Sequence, residues 1–106
     1  MQVQIHTDNH IDGSEAMFKW ASTTVTQALH RFEGQISRLE VHLSDENAGK
    51  KHTPENKQCT MEARVEGHQP LAVKHQAANL NQALSGAADK LSKLIANTLD
   101  RTHSQG

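Results

Sequence analysis

The hydrophobic period of this 106-residue chain changes three times, and the order of those periods narrows the possible folds sharply. Over Gln2–Thr7 the period is two: Val3 and Ile5 share one side while Gln4 and His6 take the other, as in a short strand. Asp8-Asn9-His10-Ile11-Asp12-Gly13 is turn-rich. Ser14 then stands as an N-cap, and Glu15 in the first turn complements the helix dipole. From Glu15 to about Phe32 the spacing is helical. Met17, Ala21, Val25, Ala28, Leu29 and Phe32 fall on one side, with Lys19, Thr23, Thr26 and His30 opposite. Threonine is a weak helix former, so this helix depends on packing. Gly34 supplies its stop.

The period returns to two from Ile36 to Ser44, where Leu39, Val41 and Leu43 alternate with Arg38, Glu40 and His42. Asp45 to Lys57 lacks apolar periodicity and reads as a long loop. Gln58 to Glu66 alternates again, with Cys59, Met61, Ala63 and Val65 inward. Gly67-His68-Gln69-Pro70 connects it to a further strand in which Leu71, Val73 and His75 share a side. Asn79 caps the last helix, with Gln82 at the capping-box position. Its buried stripe is Leu80, Ala83, Leu84, Ala87, Leu91, Leu94, Ile95 and Leu99, ending near Arg101. Gly86 within it costs about 1 kcal/mol against alanine, which close approach to a sheet would explain.

Strands with one apolar side need a cover, and each helix offers one apolar stripe. The economical solution is α+β: a two-layer β-α-β-β-β-α sandwich, with a four-stranded mixed sheet and both helices on one face. The first helix makes a right-handed crossover between parallel strands one and two, and the remaining pairs are antiparallel. Residues 1–101 form one domain, and 102–106 a polar tail expected to fray.

Charge and cysteine usage limit the function classes. There is no signal-peptide pattern and no stretch long enough to cross a bilayer, and the lone Cys59 forms no internal disulfide; all fit a cytoplasmic protein. The net charge of −1 is low for a nucleic-acid binder, but it is unevenly spread, −2 over residues 1–44 and +2 over 67–106. Lys90, Lys93, Asn97 and Arg101, spaced three, four and four apart, line one flank of the last helix and could follow a phosphate backbone. The same spacing also suits a plain solvated face.

On the open side of the sheet Arg38, Arg64 and Lys74 stand among Glu40, Glu62 and Glu66, an arrangement that cross-strand ion pairs explain equally well. The first helix adds Lys19, His30 and Arg31, and Trp20 at the edge of its apolar side suits a rim-packed core position better than base stacking. Lys50-Lys51 is offset by Asp45, Glu46 and Glu55. Eight histidines raise the charge in acid, but His6-x-x-x-His10 runs from strand into turn and lacks metal-site geometry. No metal, cofactor or small-molecule substrate is implied. No phosphate loop or nucleophile elbow is present, so an enzyme is not expected.

Thr7-Asp8-Asn9-His10-Ile11 leading into Ser14-Glu15-Ala16, Leu39 to Asn47, Met61-Glu62-Ala63-Arg64, Gly67 to Val73 and Ala83 to Leu94 occur in an order that resembles the ribosome hibernation-promoting factor and ribosome-associated inhibitor family, in its short, sigma-54 modulation protein-like form. The resemblance covers nearly the whole chain. It implies a factor that sits in the decoding region of the small ribosomal subunit, blocks messenger and transfer RNA, and acts in stress or stationary phase. It also implies ribosomal RNA contact by Lys90, Lys93 and Arg101 first, with Lys19, Arg31, Arg38, Arg64 and Lys74 after them. The long form's dimerisation domain is not expected here. Asn97, Thr98, Thr102, Ser104 and Gln105 stand where relatives often carry cations, implying weaker, more salt-sensitive binding. The alternative is a stress-linked protein-interaction module of the same fold that leaves ribosomes alone.

Overall fold

Each helix starts at the capping residue that the sequence marks. Ser14 Oγ accepts a hydrogen bond from the Met17 N–H at 3.1 Å, opening α1 (Glu15–Ala28). Asn79 Oδ1 accepts from the Gln82 N–H at 2.8 Å, opening α2 (Leu80–Gln105). The strands are β1 (Gln2–Thr7), β2 (Ile36–Asp45), β3 (Lys57–Val65) and β4 (Leu71–Ala77). The computed structural model describes residues 1–8, 11, 13–45 and 56–105, with side chains described as far as Arg101. The paired lysines at 50 and 51, and His10, lie outside the described residues.

The sheet order is β1-β2-β3-β4, with β1 parallel to β2 and the other pairs antiparallel. This is the expected mixed sheet, with α1 lying between the two parallel strands in sequence. Its inner face presents Leu39, Val41 and Leu43 of β2 and Cys59, Met61, Ala63 and Val65 of β3, all buried. Ala21, Val25 and Leu29 from the first helical segment and Ala83, Leu84, Ala87, Ala88, Leu91 and Ile95 from α2 complete one core. Both helices therefore cover the same face, which is the two-layer sandwich.

A bulge between Ile36 and Arg38 inserts Ser37 into β2. The extra residue lets Ile36 and Leu39 both point inward despite an odd spacing, and it sets Arg38, Glu40 and His42 on the open face. The hairpin between β3 and β4 turns at Gly67, whose φ of 81° is the left-handed conformation that glycine adopts without strain.

Three boundaries differ from the sequence reading. The first helix ends at Ala28 rather than near Phe32, because Leu29 leaves the α region at φ −109°, ψ 13°. A 3₁₀ turn over His30–Phe32 follows, and this tighter winding still buries Phe32 while leaving Ala28 exposed. The β2–β3 ladder extends to the Asp45–Lys57 pair, where the sequence pattern alone implies loop. A 2.9 Å ion pair between these two side chains, both about four-fifths buried, closes that end of the ladder. Finally, α2 continues past Arg101 to Gln105.

Gly86 has the cause the sequence suggested. A Cβ there would lie 2.8 Å from Cγ of His75 on β4 and closer still to Cδ2 and Nε2. The imidazole occupies the room that a methyl group would need, and only glycine lets α2 settle so near the strand.

Candidate nucleic-acid interface

The anticipated cations divide between two surfaces. Lys90, Lys93, Asn97 and Arg101 are all exposed along α2. At a rise of about 1.5 Å per residue they span roughly 16 Å of helix. Their surroundings differ. Lys93 Nζ lies 3.0 Å from Asp89 Oδ2, one turn earlier. Both partners are largely exposed, so the pair contributes only about 0.3–0.5 kcal/mol and exchanges readily for another anion. Lys90 Nζ instead donates to the Lys74 carbonyl oxygen at 3.0 Å, which places its ammonium beside β4 at the sheet edge. Neither Lys90 nor Arg101 faces a carboxylate at ion-pair distance among the described residues. Lys19 of α1 and Arg31 of the 3₁₀ turn are exposed on the same layer, and the Arg31 guanidinium lies 4.4 Å from the centre of the Phe32 ring.

Arg38, Arg64 and Lys74 face the other way, on the open side of the sheet. Arg38 is half-buried and committed: its Nη2 donates to Gln4 Oε1 at 2.7 Å and to Glu40 Oε1 at 2.9 Å. The ion pair thus runs along β2 rather than across strands, and it engages part of the Arg38 guanidinium. Arg64 sits opposite Arg38 in the ladder, exposed and outside any ion pair among the described residues. The structure therefore does not gather all nine anticipated residues into one patch. It gives a helical layer with Lys19, Arg31, Lys90, Lys93, Asn97 and Arg101, and a sheet face with Arg64 and Lys74. The Lys74–Lys90 contact joins them over the β4 edge.

Periodicity alone did not pair the two histidines that the sheet brings together. His6 and His42 are partners across the parallel β1–β2 ladder, with ring centroids 4.6 Å apart and planes inclined by 16°. His6 Nε2 also lies 3.9 Å from Glu40 Oε1. The period-two pattern put both on the polar side, but the register that stacks them is not visible in either segment alone. Trp20, by contrast, is half-buried against the core, the rim position its place on α1 suggested.

Cys59 is fully buried, and that burial pushes its thiol up to about 12, so it is chemically quiet. Among the described residues no three His, Cys, Asp or Glu side chains converge on a point suited to a metal ion. Among the same residues no helix is long and apolar enough to cross a membrane.

Comparison with known proteins agrees with this architecture. Residues 3–103 match the family described as sigma 54 modulation protein / S30EA ribosomal protein. No curated protein sequence matches the chain. Among solved structures, the N-terminal domain of Protein Y from Thermus thermophilus superimposes with a TM-score of 0.72 at 17% identity, over 92% of this chain and 99% of that one. A ribosomal subunit interface protein from Coxiella burnetii gives a TM-score of 0.73 at 14% identity, over 94% of this chain and 99% of that one. At such identities these two likenesses speak for the fold.

Proposed function

Because the chain belongs to the sigma 54 modulation protein / S30EA ribosomal protein family, we propose that it is a ribosome-associated factor of the hibernation type, acting by occlusion and performing no chemistry. It binds the decoding region of the small subunit, through ribosomal RNA, and keeps messenger and transfer RNA out during stress or stationary phase in the cytoplasm. The observation that carries this reading is the family match over residues 3–103. The charge layout supports it: despite a net charge of −1, Lys90 and Arg101 stand clear of carboxylate ion pairs among the described residues, and Lys19 and Arg31 add cations to the same layer. With so few phosphate contacts available, affinity is modest and falls with salt by a slope of about −0.7 to −0.9 per contact.

Sedimentation with purified small subunits tests the proposal. At low ionic strength the protein pellets with them; raising the salt weakens this, and the double change Lys90→Glu with Lys93→Glu weakens it further and flattens the salt slope by about one per lost phosphate contact. Pelleting undiminished by the double change would remove the α2 flank from the site. Failure of the unaltered protein to pellet at low salt would sink the ribosome reading. The alternative, which the near-neutral net charge favours, is then a protein-interaction module of the same fold, and it predicts a protein partner on pulldown.

A further inference from the structure

The open face of the sheet carries a feature that the helical cations do not explain. One row across it runs His6, His42, Thr60, Lys74, each residue the ladder partner of the next. The two imidazoles are stacked, and His6, His42 and Lys74 are exposed. The row nearest the bulge holds Gln2, Arg38 and Arg64, and Arg64 is free of ion pairs among the described residues. Between them lies Gln4, Glu40, Glu62, Ala72. In that middle row Glu40 is bound by Arg38. The strand alternation spaces the rows by roughly 6.8 Å, and Lys74 stands two strand spacings, about 10 Å, from His42.

A cross-strand ring pair of this kind adds only modestly to the stability of a sheet. What the stack does provide is two rings held parallel before anything binds, at the β1 edge of the sheet, with Lys74 in the same row, Arg64 two rows along on β3, and Glu40 3.9 Å from His6. Planar π faces beside positive charge fit a nucleobase and its phosphate, since every base offers a π face and the backbone supplies the anion.

Resting on the ribosome reading above, we infer that His6 and His42 form a stacking platform for an unpaired RNA base, with Lys74 in the same row holding a neighbouring phosphate and Arg64 one further along the strand. The chain then contacts RNA on both layers: α2 by charge, the open sheet by stacking. Stacking tolerates any base, so the contact adds affinity with little sequence preference. The stacking itself depends less on salt than the α2 contacts do, because it releases no counterions.

The test uses the whole purified protein and labelled single-stranded RNA of about ten nucleotides, bearing bases or abasic at the central positions, with affinity read by fluorescence anisotropy at low salt. The unaltered protein binds the base-bearing strand more tightly than the abasic one. The double change His6→Ala with His42→Ala removes that preference, weakening the base-bearing strand about five-fold or more while leaving the abasic strand unchanged. His6→Tyr with His42→Tyr, which keeps both rings, restores it. A preference that survives the alanine pair overturns the platform. So does an unaltered protein that shows no preference or binds neither strand. Sedimentation with small subunits, run in parallel, reports on the ribosome reading separately: pelleting without a base preference discards the platform alone, and loss of both discards the two together.

Discussion

Gly86→Ala sets two effects of known sign against each other at one position. Replacing a helix-interior glycine by alanine stabilises an unobstructed helix by about 1 kcal/mol. Here the new Cβ would come within 2.8 Å of Cγ of His75, with two more ring atoms nearer. The imidazole is half-buried on β4 beside α2. Overpacking of this sort costs about 1–3 kcal/mol. The net expectation is a loss of about 0–2 kcal/mol, equivalent to a Tm fall of up to about 10 °C for a domain near this size. Removing the obstacle reverses the sign. With His75→Ala already in place, Gly86→Ala should stabilise by about 1 kcal/mol, giving a coupling of roughly 1–3 kcal/mol between the two positions. Urea unfolding followed by helical circular dichroism measures all four proteins of the cycle. If Gly86→Ala stabilises the unaltered protein as much as the His75→Ala background, the close approach does not govern this glycine and the reasoning fails.

Three further outcomes are expected. Asn79→Ala removes the side-chain acceptor from the Gln82 N–H, costing about 1 kcal/mol in urea unfolding, whereas Asn79→Asp retains most of the stability. Asp89→Asn releases Lys93 from its exposed ion pair and removes one negative charge beside the flank, so sedimentation with small subunits should persist to higher salt than for the unaltered protein; an unchanged or weaker salt tolerance would show that Lys93 is not a phosphate contact. For Cys59, the folded thiol keeps its proton to about pH 12 while the unfolded one ionises near its ordinary 9.0, so alkali favours unfolding. Between those values the unaltered protein loses up to about 1.4 kcal/mol per pH unit relative to Cys59→Ala, and equal pH profiles for the two proteins would contradict this.

What the chain disclosed before its structure was known was what each segment settles locally. Ser14 and Asn79 cap helices because their side chains reach N–H groups three residues on, within one turn. The inward residues of β2 and β3 alternate because the pleat has a period of two. Leu29 shows where local reading gives out. Its apolar spacing continues that of α1, yet the backbone breaks there into a 3₁₀ turn, because burying Phe32 satisfies either winding. Lys57 shows the same limit at the sheet. Next to a polar loop it reads as more loop, and only Asp45 opposite it in the ladder makes it a strand residue.

The candidate interface was legible to the same extent and for the same reason. Helical spacing alone lines up Lys90, Lys93, Asn97 and Arg101, and all four are exposed along α2. The sheet face depends on register, which couples residues more than thirty positions apart. That coupling ties Arg38, a candidate RNA contact, to Gln4 and Glu40, and turns His6 and His42 from two scattered histidines into one stack. A single-residue slip of β1 against β2 would send His6 to the core side and part the rings. The stack is therefore a product of the fold as a whole, in the way the α2 flank is not. Variants that loosen β1 should abolish a base preference while leaving charge-driven binding along α2 in place.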